Sequence, residues 1–120
     1  MQVKLRHFSD LIVWQLAHQL ALEVYRKTES FPKAEVYGMT SQMRRSAVSV
    51  GSNIAEGFGR QGTKEKIQFY CIARGSILEL ESQLLLSKDL GWINTSDQTI
   101  LIKKLVDTHK TLNALISSLR

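Results

Sequence analysis

Apolar residues recur every three or four positions along four stretches of the chain, which is the spacing of amphipathic helices. The first stretch predicts a helix over residues 10–28. Ser9 can cap this helix, and Phe8 and Val13 stand where a hydrophobic staple would place them. Pro32 prevents the helix from continuing, because proline lacks the backbone N–H that a helix interior needs. The chain therefore begins its regular structure with one helix of about five turns.

The second and third helices are predicted over residues 40–58 and 63–89. Their apolar stripes are Met43, Ala47, Val50 and Ile54 in the second helix, and Tyr70, Ala73, Ile77, Leu80 and Leu84 in the third. The short alternation "SAVSV" in the second stretch also fits a strand, but it is too brief to outweigh the longer helical period. Gly91 suits the end of the third helix, where a glycine often closes the last turn.

The fourth helix is predicted to open after "NTS", residues 94–96, and to run to the end of the chain, with Thr95 as its cap, since Thr95 and Gln98 have the spacing of a capping box. Its apolar stripe is Leu101, Leu105, Thr108, Leu112, Leu115 and Leu119. Four amphipathic helices with short connections predict an all-α protein, an antiparallel up-and-down four-helix bundle. At 120 residues, we expect a single domain over residues 1–120.

The stretch "GFGRQG", from Gly57 to Gly62, matches the G-x-G-x-x-G pattern of dinucleotide-binding turns. That turn must follow a strand, open a helix and have an acidic residue at the end of a second strand. Here the glycines follow a predicted helix, and no strand is predicted to carry the pocket. We therefore interpret Gly57 and Gly59 as C-capping positions, with Gly62 freeing the turn before Thr63 caps the third helix. No cofactor is expected.

The second helix carries an unusual polar stripe made of Arg45, Ser49, Asn53 and Glu56, at steps of four, four and three residues. Serine and asparagine are poor helix formers, so their presence in mid-helix needs a compensating interaction. Side-chain hydrogen bonds or close contact with another helix would supply it.

The third helix offers a matching feature in "RGSILELE", where Gly75 would allow close backbone approach and Ser76 and Glu79 share a face. Buried charged groups persist only when they are paired. The hypothesis is a structural polar network, and direct ligand contact by the same residues stays open as an alternative. The proposed members are Arg45, Ser49, Asn53, Glu56, Ser76 and Glu79.

The chain is basic, with a formal net charge of +5 and a sequence pI of about 9.6. Residues 33–74 hold seven basic and three acidic residues, so this segment carries four of the five net charges. Such an asymmetry favours a polyanionic partner, because counterions released from a phosphate backbone drive association. A slightly basic face that serves only solubility is the other interpretation.

Features of an enzyme are weak in this sequence, and no enzymatic activity is predicted. The three histidines are scattered, with no partner at i+3 or i+4 to form a metal pair. Cys71, the only cysteine, is interpreted as a small buried hydrophobic residue on the third helix. Glu56 and Glu79 could form an acid/base pair, but nothing in the sequence places a substrate between them.

No run of about 18 apolar residues is present, so no membrane span is expected. The N-terminal residues "MQVKLRHFSD" lack the apolar region of a secretion signal. We therefore expect a cytoplasmic protein.

Three segments together make the sequence resemble a known family. "FSDLIVWQLAHQLALEVYRKTESFP", "SQMRRSAVSVGSNIAEGFGR" and "FYCIARGSILELESQLLL" are similar to the four-helix-bundle proteins encoded in intervening sequences of bacterial 23S rRNA genes, the S23 family. The similarity covers essentially the whole chain, and S-x-x-x-N-I-A-E-G followed by G-S-x-x-E-L is specific. The family often has proline where this chain has Gly51, and either residue weakens the helix there.

The resemblance implies a homopentamer with the bundles arranged in a ring. It also implies similarity to the accessory protein of diversity-generating retroelements, which binds nucleic acid and a reverse transcriptase. On this analogy six basic residues are candidates for contact with phosphate: Arg44, Arg45, Arg60, Lys64, Lys66 and Arg74. Two hypotheses follow: an oligomer that binds structured RNA or DNA through a basic surface, or an oligomeric protein-binding scaffold that binds no nucleic acid. A cluster of the basic residues would favour the first, and an uncovered apolar groove would favour the second.

Overall fold

The structure is a computed structural model that describes residues 5–120. The described residues form four α-helices and two short 3₁₀ turns, and none of them lies in a strand. The helices are α1 (Ile12–Thr28), α2 (Met39–Phe58), α3 (Thr63–Asp89) and α4 (Thr95–Ser118), and the 3₁₀ turns are Phe8–Asp10 and Lys33–Glu35. The predicted all-α fold is confirmed, and the "SAVSV" alternation lies inside α2.

The four helices form a bundle in which each helix packs against its neighbours in chain order, and α4 returns to pack against α1. Within the described residues the diagonal pairs, α1 with α3 and α2 with α4, do not pack against each other. Contacts between α2 and α3 run in opposite order along the two helices: Gly57 lies against Tyr70, and Met43 lies against Ser87. This is the order expected for antiparallel neighbours.

The core consists of the predicted apolar stripes, with one change in the last helix. All stripe residues of α2 and α3 are buried. In α4 the buried row runs through Leu112 to Ile116, whereas Leu115 and Leu119 are only partly buried. The predicted four-three step at the end of α4 was therefore wrong by one position.

The start of α1 also differs from the prediction that Ser9 caps it. A 3₁₀ turn precedes the helix, and His7 caps this turn. The Nδ1 atom of His7 accepts a hydrogen bond from the Ser9 backbone N–H. The Asp10 carboxylate accepts the backbone N–H groups of Arg6 and His7, and these hydrogen bonds lower the pKa of Asp10. Leu11 occupies the N-cap of α1 and has no side-chain oxygen to offer. Ser9 thus lies inside the preceding turn instead of at the cap.

Two other predicted caps are displaced by one residue. Asn94 is the N-cap of α4, and its side-chain oxygen accepts the Asp97 backbone N–H at 2.7 Å, so Thr95 is the first helical residue. Gly62 is the N-cap of α3 with extended backbone, so Thr63 does not cap it. In both cases the cap preceded the residue that the sequence pattern favoured, and helix boundaries commonly shift by one or two positions.

Gly91 closes α3 as predicted. Its φ of +79° lies in the left-handed region, which favours glycine because a Cβ there would crowd the backbone. The Trp92 backbone N–H donates to the Ser87 carbonyl and the Gly91 N–H donates to the Lys88 carbonyl, the two bonds of a Schellman motif. The chain then turns so that Trp92 packs near Phe31, at the end of the bundle.

Candidate nucleic-acid interface

Three residues of the predicted polar network form a hydrogen-bonded group between α2 and α3, which we call the polar seam: Ser49, Asn53 and Ser76. The Ser49 and Ser76 hydroxyl oxygens lie 2.8 Å apart. The Asn53 side-chain amide donates to the Ser49 carbonyl at 2.9 Å and to its hydroxyl at 3.0 Å. These bonds offset the poor helix propensity of serine and asparagine in mid-helix.

The three charged residues assigned to the same network lie outside it. Glu56 forms an exposed ion pair with Arg60, at 3.2 Å between Oε2 and Nη2. Glu79 accepts a long hydrogen bond from Gln83, at 3.4 Å. Arg45 is exposed and lies with Glu79 on a shallow depression beside the serine pair, where they form no ion pair. The stripe is therefore a neutral hydrogen-bonded seam with charged residues at its edge.

Close helix contact occurs at Gly57 instead of at Gly75. A Cβ at Gly57 would lie 2.6 Å from Cε1 of the buried Tyr70 ring and 3.2 Å from the Lys66 carbonyl oxygen, whereas a Cβ at Gly75 would meet nothing within 4 Å. Gly57 is thus a packing residue of α2, and the C-cap is Gly59, with an ordinary right-handed φ of −75°. Burial among these groups raises the pKa of the Tyr70 hydroxyl.

Arg44, one of the six candidate phosphate ligands, joins α2 to α1. Its Nε donates to the Thr28 hydroxyl at 2.9 Å and its Nη2 donates to the Tyr25 carbonyl at 3.3 Å. The guanidinium carbon lies 4.7 Å from the centre of the Tyr25 ring, within the range of a cation–π contact. These contacts hold the end of α1 against α2.

Lys66 and Arg74 likewise make contacts inside the chain. The Lys66 ammonium donates to the carbonyls of Phe58, at 2.7 Å, and Gly57, at 3.4 Å, so it caps the C-terminal end of α2. Arg74 donates to the Asn113 side-chain oxygen at 3.1 Å and to the half-buried Cys71 sulfur at 3.6 Å, which links α3 to α4.

The remaining three candidates form what we call the exposed basic set: Arg45, Arg60 and Lys64. Among residues 5–120, Arg45 and Lys64 have no ion-pair or hydrogen-bond partner. Arg60 pairs with Glu56 and lies 4.6 Å from the centre of the Phe69 ring. Arg45 and Arg60 are fifteen positions apart on or next to α2, about 22 Å along the axis. The six basic residues thus do not form one continuous cluster.

An apolar groove between α1 and α2 is a surface that the sequence analysis did not identify. Its floor consists of small residues, and its rim carries larger apolar and aromatic ones, around a cavity of about 540 Å³. The floor residues are Ala17, Ala21, Ala47, Gly51 and Ala55, and the rim includes Phe8, Trp14, His18, Leu22, Tyr25 and Val48. The sequence signal for this groove was alanine or glycine at every fourth position of α2. Small residues on adjoining helices leave a channel between them.

Other kinds of site find little support in the described part of the chain. No three histidine, cysteine or acidic side chains within residues 5–120 are placed to hold a metal ion. His18 is exposed and stacks on Trp14, with ring centres 4.8 Å apart. Over the same residues, none of the helices combines the length and the apolar character needed to cross a membrane.

Residues 9–114 match the family model described as 23S rRNA-intervening sequence protein. The chain belongs to this family. A crystal structure of an S23 ribosomal protein family member of unknown function, from Bacteroides thetaiotaomicron VPI-5482, is similar in fold, with a TM-score of 0.79 and 22% sequence identity. The similarity covers 88% of this chain and 98% of the other. A comparison with curated proteins finds no significant match.

The match to the 23S rRNA intervening sequence family includes every residue of the polar seam and of the exposed basic set. It also includes Gly51. In this member α2 continues without interruption through Gly51, which lies on the floor of the apolar groove.

Proposed function

We propose that this protein is a non-enzymatic homo-oligomer that binds structured RNA or DNA through the exposed basic set, repeated on each copy. The observation that carries the proposal is that Arg45 and Lys64 are exposed and unpaired within residues 5–120. Cations without internal partners are available to phosphate groups, and the net charge of +5 favours a polyanion.

Self-association is supported by the outer side of α3, which carries Ile72, Leu78, Leu85 and Leu86. Each of these side chains is between 48% and 54% exposed. A helix that packs on one side only usually carries polar residues on the other, whereas apolar residues clustered on an outer surface indicate contact with another protein. The family resemblance points to a pentamer.

Oligomerisation would offset the small size of the basic surface on one chain. Three exposed cations spread over more than 20 Å give weak binding alone, as expected for a few phosphate contacts. Several copies in one assembly present the same three cations repeatedly, and simultaneous contacts raise the overall affinity without any new contact chemistry. Binding of this kind has little sequence preference and a marked dependence on salt.

The test is binding to a labelled structured RNA and to a duplex DNA across a salt series. The variant to compare is R45Q/R60Q/K64Q, which spares the structural contacts of Arg44, Lys66 and Arg74. The matched control is K103Q/K110Q/R120Q, which removes three exposed charges from α4 and the C-terminus.

We expect saturable binding by the wild type that weakens steeply with salt. The R45Q/R60Q/K64Q variant should show a smaller salt slope, by about one unit for each phosphate that it no longer neutralises. The control has the same net charge as this variant and should bind like the wild type. No binding at low salt, or equally weakened binding by both variants, would contradict the proposal.

The second candidate function is a protein-binding scaffold. Two observations favour it: the chain has an apolar groove between α1 and α2, and its six candidate basic residues do not form one continuous cluster. A reverse transcriptase is the class of partner that the family resemblance implies. If the assembled protein binds neither RNA nor DNA at low salt, this candidate replaces the first. Saturable binding of a purified reverse transcriptase, abolished by substitution in the groove, would then support it.

A further inference from the structure

The apolar groove between α1 and α2 has a row of aromatic side chains along its rim. The ring centres of Phe8 and Trp14 lie 5.1 Å apart. Those of Trp14 and His18 lie 4.8 Å apart, with the two rings nearly parallel at 15°. Tyr25 continues the row about two turns further along α1. His18 and Tyr25 are exposed, so part of each ring is free to contact a planar group from solution.

Cationic side chains lie at both ends of this groove. Next to Tyr25 the groove continues into a depression lined by Arg44 and Arg45. Next to Phe8 it continues into a second depression, which Arg60 lines. None of the described residues that line the groove itself is acidic. Both ends therefore attract negative charge, while the surface between them is apolar and aromatic.

Arg60 can bind an anion although it is paired with Glu56. Both side chains of this pair are exposed, and they are four positions apart in the chain. Exposed pairs of this kind contribute little free energy, so a phosphate can bind the guanidinium in place of the carboxylate. Arg45, at the opposite end, forms no ion pair within residues 5–120, although Glu79 lines the same shallow depression. Each end of the groove thus offers a guanidinium to a phosphate.

A single strand of nucleic acid has the chemistry that fits this arrangement. Unpaired bases present planar, apolar faces that stack on aromatic side chains, and the phosphates between them bind cations. Arg45 and Arg60 lie about 22 Å apart along the axis of α2. A stacked strand carries one phosphate about every 3.4 Å, so this distance corresponds to at most about six nucleotides.

We propose that the α1/α2 groove binds unpaired nucleotides, with the bases stacked on the aromatic rim and the phosphates at Arg45 and Arg60. This inference rests on the proposed function and specifies which part of the nucleic acid is bound. It accounts for the separation of the basic residues, because a strand that runs along a groove needs cations at both ends. An unpaired loop of a structured RNA and a single-stranded DNA both supply such a strand.

The test compares single strands with a duplex at low salt. The probes are a labelled oligouridylate and oligothymidylate of about 12 nucleotides, twice the estimated span, and a duplex DNA of the same length. His18→Ala removes one ring of the rim, and His18→Phe keeps a ring there without the imidazole. The matched control is His109→Ala on α4.

A second variant fills the groove without removing a ring. Gly51→Leu places a large side chain on the floor, where a Cβ has room at 3.6 Å from Nε1 of Trp14. Its control is Ala114→Leu, at an exposed position of α4. Circular dichroism confirms that each variant is folded, and light scattering gives its molar mass. If Gly51→Leu does not fold, Ala55→Leu fills the same floor.

Both single strands should bind the wild type more tightly than the duplex does. His18→Ala should weaken single-strand binding by roughly 5- to 150-fold, the effect of losing the stack on one base, and Gly51→Leu should weaken it as well. Duplex binding should not change in either variant, and Gly51→Leu should keep the wild-type mass. His18→Phe and the two controls should bind like the wild type, because the rim or the groove stays intact.

Trp14 reports stacking directly. In Trp92→Phe it is the only tryptophan of the chain, and a base stacked beside it should quench its fluorescence. The oligothymidylate should therefore quench this variant, whereas Trp14→Phe, which keeps only Trp92, should show no quenching.

Three outcomes would overturn the inference. Single-strand binding that His18→Ala and Gly51→Leu leave unchanged would mean that the exposed cations bind the phosphate backbone alone, and the proposed function would stand without this contact. An altered molar mass of Gly51→Leu would show that another copy of the chain covers the groove. No binding of any probe at low salt would remove the proposed function, and with it this inference.

Discussion

The hydroxyl oxygens of Ser49 on α2 and Ser76 on α3 lie 2.8 Å apart at the contact between these two helices. Ser76 is buried, and Asn53 donates to both the hydroxyl and the carbonyl of Ser49. A buried hydroxyl without a partner costs free energy, so each serine accounts for the presence of the other.

A double-mutant cycle with Ser49→Ala and Ser76→Ala measures this contact. The cycle cancels the gain in helix propensity that alanine brings at each position, and leaves a coupling free energy of about 0.5–1.5 kcal/mol in urea denaturation. A parallel cycle with Ser52→Ala and Ser76→Ala is the control, because Ser52 lies on the groove between α1 and α2. Equal coupling free energies in the two cycles would show that the Ser49–Ser76 hydrogen bond contributes nothing to stability.

Two glycine-to-alanine substitutions should have opposite effects. Gly57→Ala would place a Cβ 2.6 Å from the Tyr70 ring, so we expect it to destabilise the fold by about 1–3 kcal/mol through overpacking. Gly75→Ala meets open space within α3, and we expect it to stabilise the fold by about 0.5–1 kcal/mol. Thermal unfolding of both variants checks this pair, and a stable Gly57→Ala would show that α2 and α3 are not tightly packed there.

Lys64 and Lys66 should separate binding from stability. Lys66→Gln removes the donor to the Phe58 and Gly57 carbonyls, at a cost of about 0.5–1.5 kcal/mol in the free energy of unfolding. Lys64→Gln should leave stability within about 0.5 kcal/mol of the wild type, because Lys64 is exposed, and should weaken nucleic-acid binding. Denaturation and a binding titration on the same samples measure both effects. A loss of stability in Lys64→Gln, with unchanged stability in Lys66→Gln, would contradict the structure.

Tyr70 should make the fold sensitive to high pH. Burial raises the pKa of its hydroxyl in the folded chain above the unfolded value of 10.0, so its neutral form contributes stability that is fully present below pH 10. That contribution disappears as the pH rises through the higher folded pKa. Unfolding from pH 8 upwards should therefore show a fall in wild-type stability that is smaller in Tyr70→Phe. Parallel curves for the two proteins would contradict this assignment.

The helices and most of the core follow from the sequence because the apolar spacing is strong and the bundle buries one side of each helix. The row Met43, Ala47, Val50 and Ile54 is fully buried as predicted. The caps at Leu11, Gly62 and Asn94 were missed, since a shift of one or two residues leaves the apolar period unchanged.

The candidate sites were less predictable, because they depend on which helices adjoin. Sequence spacing groups Arg45, Ser49, Asn53 and Glu56 on α2. Only the packing against α3 shows that Ser49 bonds to Ser76, while Asn53 bonds to Ser49. In the same way, Arg44 looks like a free cation until α1 supplies Thr28 and Tyr25 as its partners. The groove floor is shared by two helices, so no single stretch of sequence displays it.

The proposed function depends on self-association of the chain. Self-association would cover the outer side of α3 and would repeat the exposed basic set on each copy. The most direct test is the molar mass of the purified wild-type protein in solution, measured by light scattering over a range of concentrations. Self-association predicts a discrete multiple of 13.6 kDa, fivefold for the pentamer that the family resemblance implies. A constant mass of 13.6 kDa at every concentration would contradict it.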